Sequence, residues 1–362
     1  MQILVETNNN NLRMENFDEY LRQGEPGKAE KAKAWKTAIG LQQVDGLKPS
    51  DYLIATARQN IEGDITIEEV KQRIDTYYQQ HPTKDNENRT EEADKVSARI
   101  AGMLGEKTFT FSPAEYLAIH RRLFLDIYRD AGKIRDYNIT KKEWVLNGET
   151  VLYGSAESLK ATLEYDFEQE KKISYKALSQ RECMEHITQF ISYLWQIHVF
   201  GEGNTRITAI FLIKYLRTFG YAVNNELFEE HSWYFRNALV RANYTNHAKS
   251  IHATNEFLLR FFENLLLGTN HNLRNRELHV LYIDPAIESS EKGSEKIEKS
   301  SEKSSEKILR IIKFNSQITI KELAEQLKVS TRAIEKNIAK LKTDGFLERI
   351  GADKGGFWKI NN

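Results

Sequence analysis

Two apolar segments and the short loop between them constrain this chain more than anything else in it. Residues 185–198 and 206–219 are apolar on most sides, the pattern of helices buried all round. The loop joining them reads His198-Val-Phe-Gly-Glu-Gly-Asn-Thr-Arg206. His198 stands where the first helix should end and can take a proton near neutral pH. Phe200 can anchor the loop in the core. Glu202 offers a hard carboxylate suited to a magnesium ion bridging phosphates. Gly201 and Gly203 let backbone amides approach an anion closely. Asn204 and the residues after it open the second helix, whose N-terminus favours phosphate. Arg206 can fork onto phosphate oxygens. Each feature alone is commonplace. Six fixed positions in nine have a chance expectation on the order of 10⁻⁸ per start site, and the helix–loop–helix context is the one such chemistry needs.

The rest of the chain sets that loop in a mainly α protein. Its 362 residues suffice for two or three domains. Basic and acidic residues balance at 52 each, so no whole-chain field argues for nucleic acid. Cys183 is the single cysteine; an internal disulfide is excluded and a zinc cluster is not expected. The N-terminus lacks the layout of a signal peptide, and no run approaches the ~20 apolar residues of a membrane span. A cytoplasmic protein without membrane contact is expected. Residues 288–307 are nearly all Ser, Glu and Lys and cannot bury a core. We therefore expect a linker over 286–307, between a helical N-terminal region (1–90), a central domain (91–285) and a C-terminal domain (308–362).

Local signals place several elements. The spacing predicts helices over about 50–61 and 66–79, broken at Gly63, with Thr66 and Glu69 as a capping box. Ser112-Pro113-Ala114-Glu115 marks another helix start. Between Trp144 and Tyr153, Asn147-Gly148 separates β-prone runs, which predicts a hairpin. Its edge would be open to an extended peptide.

On these residues the chain resembles the Fic family, whose motif is His-x-Phe-x-(Asp/Glu)-Gly-Asn-(Gly)-Arg-x-x-Arg. Here it reads His198-Val-Phe200-Gly-Glu202-Gly203-Asn204-Thr205-Arg206-Ile-Thr-Ala209. The resemblance covers roughly residues 95–270. Residues 131–139, Ala-Gly-Lys-Ile-Arg-Asp-Tyr-Asn-Ile, are similar to a second family segment, and the 144–153 hairpin lies where the family places its target-docking flap. The resemblance implies a helical bundle with a β-hairpin flap that transfers AMP from ATP, with Mg²⁺, to a Ser, Thr or Tyr hydroxyl of a target protein or of itself. It implies His198 as the base, Glu202 as the metal ligand, and Gly201, Gly203, Asn204, Thr205 and Arg206 around the nucleotide. Tyr234 and Asn237 are adenine-pocket candidates by position. Two positions depart from the motif: Thr205 replaces a glycine, and Ala209 replaces the last arginine, which in the family binds the γ-phosphate. Transfer of another phosphate-containing group, or nucleotide sensing without transfer, are the alternatives.

The resemblance extends to control. Residues 58–63, Arg-Gln-Asn-Ile-Glu-Gly, are similar to the family's inhibitory motif, with Arg58 in place of Ser/Thr. It implies that Glu62 enters the nucleotide site, although the usual arginine partner is Ala209. At the other end, helical patterns over 308–343 and two β-prone runs around a Gly/Lys turn resemble a winged helix-turn-helix. Residues 308–362 hold eleven basic and six acidic side chains, about +5, a footprint suited to double-stranded DNA. Ser330, Thr331, Arg332 and Lys336 are the expected major-groove readers. A homodimer is compatible with all of this.

Overall fold

The structure is a computed structural model. It describes residues 17–22, 25–82, 89–221, 223, 226–282, 308–309, 311–312, 316, 318–327, 329–343, 345–350 and 357–360. The expected linker, apart from its neighbours after 307, lies outside the described residues. The chain divides into two compact units after Tyr282.

The first unit is all helix and loop among the described residues. Its N-terminal part holds α1 (Asp18–Arg22), α2 (Pro26–Gly40), a 3-10 turn (Leu41–Asp45), α3 (Asp51–Glu62) and α4 (Ile67–Gln80). Ser50 caps α3, and the Thr66/Glu69 capping box opens α4 as its spacing predicts. Gly63, at φ 93°, ends α3. There follow α5 (Thr90–Gly105), α6 (Pro113–Phe124, capped by Ser112), α7 (Leu159–Lys171), α8 (Gln180–Ile197), α9 (Asn204–Thr218), α10 (Glu226–Ala242), α11 (Glu256–Leu267) and α12 (Asn275–Leu278).

The N-terminal helices are part of the same core as the rest. Trp35, Leu53, Ile61 and Ile74 share one buried cluster with Ile100, Phe124, Trp195 and Phe211. The α2–α10 contact is backbone-close: a Cβ on Gly40 would lie 2.3 Å from the Glu229 Cα, and Ser232 Oγ donates to the Gly40 carbonyl at 2.9 Å. Only glycine fits there. Helices α8 and α9 are buried as their sequence predicts; from Asn204 to Leu216 every side chain of α9 is buried.

The 144–153 segment differs from its expectation. Asn147 and Gly148 take the positive φ values expected of them, 56° and 85°, and Glu143 N–H donates to the Glu149 carbonyl at 2.9 Å. Yet no strand forms among the described residues here. Trp144–Leu146 winds into a 3-10 turn, and the Val145 carbonyl accepts from Val280 N–H at 2.9 Å. Buried Val145 and Leu146 are pulled inward, so local packing overrides the β propensity of the run.

The second unit holds α13 (Ile320–Leu327), α14 (Thr331–Thr343), and antiparallel β1 (Leu347–Ile350) and β2 (Phe357–Ile360). Thr319 and Glu322 form the expected capping box, and Ser330 Oγ accepts from Ala333 N–H at α14. Ile334, Ile338 and Leu341 pack with Ile318, Leu323 and Trp358 into a separate core. Trp358 Nε1 donates to the Ile318 carbonyl at 2.9 Å, tying β2 to the residues before α13.

Candidate active site

Helix α8 ends because His198 turns left-handed, at φ 52° and ψ 56°. Arg135 holds that ending from behind. Its Nε donates to the His198 carbonyl at 2.8 Å, and its other nitrogens reach the carbonyls of Tyr137, Gly154 and Ile197. A cation at a helix C-terminus satisfies carbonyls that the helix cannot pair and complements the dipole. Gly154 is part of the fit, since a Cβ there would lie 2.9 Å from the Ile197 carbonyl oxygen.

His198 is 3% exposed. Its Nδ1 lies 3.3 Å from the Trp195 carbonyl, which assigns the proton to Nδ1. Its Nε2 is buried with no hydrogen-bond partner, and the Tyr153 ring packs 4.3 Å away, centroid to centroid. Burial first, and then the charges of Lys141, Arg135 and Arg236, hold the imidazole well below its ordinary pKa. Beneath Tyr153 lies a buried network. Glu143, 1% exposed, accepts from Tyr153 Oη at 3.0 Å and takes both Arg236 Nη atoms, at 2.6 and 3.1 Å.

The loop's middle rests on His120. Its ring stacks on Phe200 at 3.7 Å and 8°. Gly132 N–H donates to Nδ1 at 2.8 Å, so Nε2 carries the proton and donates to the Glu202 carbonyl at 3.1 Å. Burial is the main cause that brings this imidazole down to about 4. Gly203 is required by conformation and by space, whereas at Gly201 a Cβ would displace only the hydroxyl of exposed Tyr137. A Cβ on Gly201 would meet Tyr137 Oη at 2.5 Å; one on Gly203, at φ 76°, would meet the Phe124 ring at 2.5 Å. The Glu202 carboxylate stands at the rim, 56% exposed, 3.4 Å from Lys141 Nζ. Among the described residues no group of three or more acidic, His or Cys side chains could hold a metal by itself. A magnesium ion, which keeps waters and takes one or two carboxylates plus phosphates, fits the single exposed Glu202.

The other end of the motif is turned inward. Asn204 closes the loop on itself: its side chain donates to the Phe200 carbonyl at 2.7 Å and accepts from Phe200 N–H at 3.1 Å. Thr205 Oγ1 accepts from Trp195 Nε1 at 3.0 Å, joining α9 to α8. Arg206 is wholly buried. It reaches Gln42 at 3.0 Å, Asp45 and Glu92 at 2.8 Å and Tyr128 at 2.9 Å, and lies 4.7 Å over Phe124. Burial alone would lower its pKa, but Asp45, Tyr128 and Glu92 outweigh it and keep the guanidinium charged. The expected phosphate clamp is therefore committed to the N-terminal 3-10 turn and α5. Ala209 is buried too.

Glu62 is placed away from these contacts. It pairs with Lys28 at 2.8 Å and accepts from Tyr20, while Arg206 takes its acid partners from Asp45 and Glu92. Tyr234 and Asn237 are buried. Tyr234 Oη donates to the Phe257 carbonyl at 3.2 Å, and Asn237 Nδ2 to Asn275 at 2.8 Å, leaving Asn237 Oδ1 unpartnered. In the second unit Ser330, Thr331, Arg332 and Lys336 are all exposed at α14.

Sequence reasoning did not assign roles to His120, Arg135, Lys141, Glu143, Tyr153 or Arg236. The signal for Arg135 was present in the 131–139 segment. Lys141 and the Glu143 network carry no periodicity or spacing that would single them out.

Residues 110–216 match the model of the Fic/DOC family, and residues 305–357 match that of an HTH domain. None of the curated proteins matches the chain. Among solved structures, a Fic family protein from Desulfovibrio desulfuricans G20 is similar at 11% identity, covering 97% of this chain and 94% of that chain with a TM-score of 0.42. Among the described residues no helix is long and apolar enough to cross a membrane. Fic domains in general transfer AMP or other phosphate-containing groups. The chain carries a Fic/DOC family domain over residues 110–216 and a helix-turn-helix domain over residues 305–357.

Proposed function

We propose that this protein transfers AMP from ATP to a protein hydroxyl, with His198 as the general base. The observation that carries the reading is the buried, partnerless Nε2 of a neutral imidazole at the loop. Within a well-packed interior nearly every polar atom is paired, so a free nitrogen on a ring fixed by its Nδ1 hydrogen bond to Trp195 and by the Tyr153 ring is a poised acceptor. Nε2 takes the proton of the target hydroxyl. The hydroxyl oxygen then forms its bond to the α-phosphorus, and the bond to pyrophosphate breaks. Proximity and fixed dipoles supply most of the rate in such a step.

Glu202 would hold Mg²⁺, which when bound neutralises phosphate charge. Lys141, beside Glu202 at the rim, is the cation we assign to phosphate, because Arg206 would have to abandon four polar partners, Gln42 and Glu92 among them buried, to reach it. Backbone amides of Gly201 and Gly203 would face the phosphates. Exposed Trp144 and Leu152 flank the segment expected to meet the target. Double-stranded DNA is the proposed partner of the second unit, read by Ser330, Thr331, Arg332 and Lys336.

Incubation with labelled ATP and Mg²⁺ tests the transfer. Labelled protein heavier by about 329 Da, absent in His198→Ala, is the expected result. Undiminished labelling of His198→Ala removes His198 as the base. A second reading, transfer of a different phosphate-containing group, is favoured by the inward Arg206 and buried Ala209, which leave the triphosphate end without its usual arginines. A mass increment other than that of AMP would establish it.

A further inference from the structure

Away from the loop, a cavity of about 1110 Å³ opens between the N-terminal helices and the far ends of α5 and α9. Six basic side chains line it, Lys31, Lys33, Lys71, Lys107, Lys214 and Arg217, against three acidic ones, Glu30, Glu68 and Glu106. In a chain whose charges balance overall, that is a local concentration of positive charge.

Three of the cations converge on consecutive residues at the end of α5. Lys71 Nζ lies over Gly102, 3.2 Å from where a Cβ would be. Lys214 Nζ donates to the Met103 carbonyl at 3.0 Å, and Arg217 Nη1 to the Leu104 carbonyl at 2.6 Å. The helix dipole explains why cations gather at a C-terminus, but carbonyls are a weak counterpart for several full charges. Lys214 is 3% exposed, and burial, with Arg122 and Arg217 nearby, holds it below its usual range. Glu106 is engaged mainly by Arg122, at 3.0 Å from Nη1, and stands 3.9 Å from Lys214; Glu30 is the acid facing Arg217. Of the three cations, Lys214 is buried, Lys71 is half-buried with Glu68 at 3.9 Å, and Arg217 is exposed. A buried ammonium facing carbonyls, in a cavity where cations outnumber acids six to three, favours an incoming anion. Half-buried Phe109 and Tyr221 add ring surface to the same wall.

We propose that this cavity binds a phosphate-bearing small molecule with a planar ring, the chemistry of a nucleotide. Its volume is at the upper end of small-molecule sites, which combine aromatic walls with a few placed charges. The site is distinct from the 198–206 loop and does not depend on the transfer reading. Its walls come from α2 and α4 on one side and α5 and α9 on the other. A bound anion would therefore clamp the N-terminal region to the Fic domain and raise the melting temperature by linkage.

The probe is ADP, titrated by calorimetry into the full chain without divalent metal. Lys71→Glu/Lys107→Glu reverses two charges at the cavity; Lys141→Glu reverses one at the loop. The expected result is a binding event that weakens about tenfold or more in the cavity variant, the scale of losing one charge-assisted contact, and that persists in Lys141→Glu, which weakens only a second event at the loop. The ligand-free melting temperature shows that the double variant is folded; Lys107→Glu alone, at an exposed position, repeats the test if it is not. Absence of binding to the wild-type chain, or loss in Lys141→Glu of the same event that the cavity variant weakens, overturns the proposal.

Discussion

The two ends of the 198–206 loop have opposite fates. His198 keeps a buried nitrogen without a partner, whereas eight residues later Arg206 is surrounded by Gln42, Asp45, Glu92 and Tyr128. Both are polar residues in one motif, and both are almost fully buried. One is left available for chemistry; the other joins the N-terminal region to the Fic domain. A motif fixes residue types and spacing, but not which way a long side chain turns. In Arg206 the choice follows from what lies behind it: two carboxylates, an amide and a phenol on elements far away in sequence.

The sharpest way to break this comparison is to remove each end in turn. His198→Asn, with a side chain that tolerates the left-handed backbone, should lower the transfer rate by about 10²–10⁴ while leaving the denaturation midpoint nearly unchanged. Arg206→Ala should do the reverse in kind. The change takes the cation from half-buried Asp45 and one of two from buried Glu92, which keeps Arg89, and should cost on the order of 1.5–3 kcal/mol, read from urea or thermal unfolding. If Arg206→Ala left stability intact but weakened nucleotide binding, the guanidinium would face ligand in solution and the contrast would collapse.

Next in size is an effect of pH. His120 is brought down to about 4, and His198 well below its ordinary value, chiefly by burial. Unfolding frees both to bind protons below about 6.5. The unfolded chain then binds more protons than the folded one, so stability falls as pH drops from about 6.5 toward 4. His120 alone should contribute ~3 kcal/mol over that window. Unfolding curves at stepped pH should show a steeper acid loss in the wild-type chain than in His120→Gln; parallel slopes would deny that His120 is held neutral by the fold. For the same reason, the acid limb of kcat/KM should lie below pH 6.5.

Much of this was legible in the sequence because it was local. The capping boxes at Thr66/Glu69 and Thr319/Glu322, the buried helices on either side of the loop and the positive φ at Asn147-Gly148 all follow from a few neighbouring residues. His198 and Glu202 were legible as a joint pattern. What was hidden is long-range. Arg135 reaches His198 across 63 positions and Arg206 reaches Gln42 across 164, distances over which no periodicity carries information. The 144–153 segment was misjudged for a related reason: Val280, far along the chain, takes the Val145 carbonyl that a strand edge would have left open.

The smallest test concerns Thr205, which lies between the two ends and on the inward side. Its hydroxyl accepts from the buried Trp195 indole, and Trp195 belongs to the same helix whose end presents His198. Thr205→Val keeps the shape and leaves the indole N–H without an acceptor, costing about 1–3 kcal/mol. Nucleotide affinity should stay the same, since the residue would serve the α8–α9 joint and not the ligand. Thr205→Ser should restore stability. A loss of affinity in Thr205→Val at unchanged stability would move the boundary between the loop's two halves one residue toward Arg206, and Thr205 would join the nucleotide site after all.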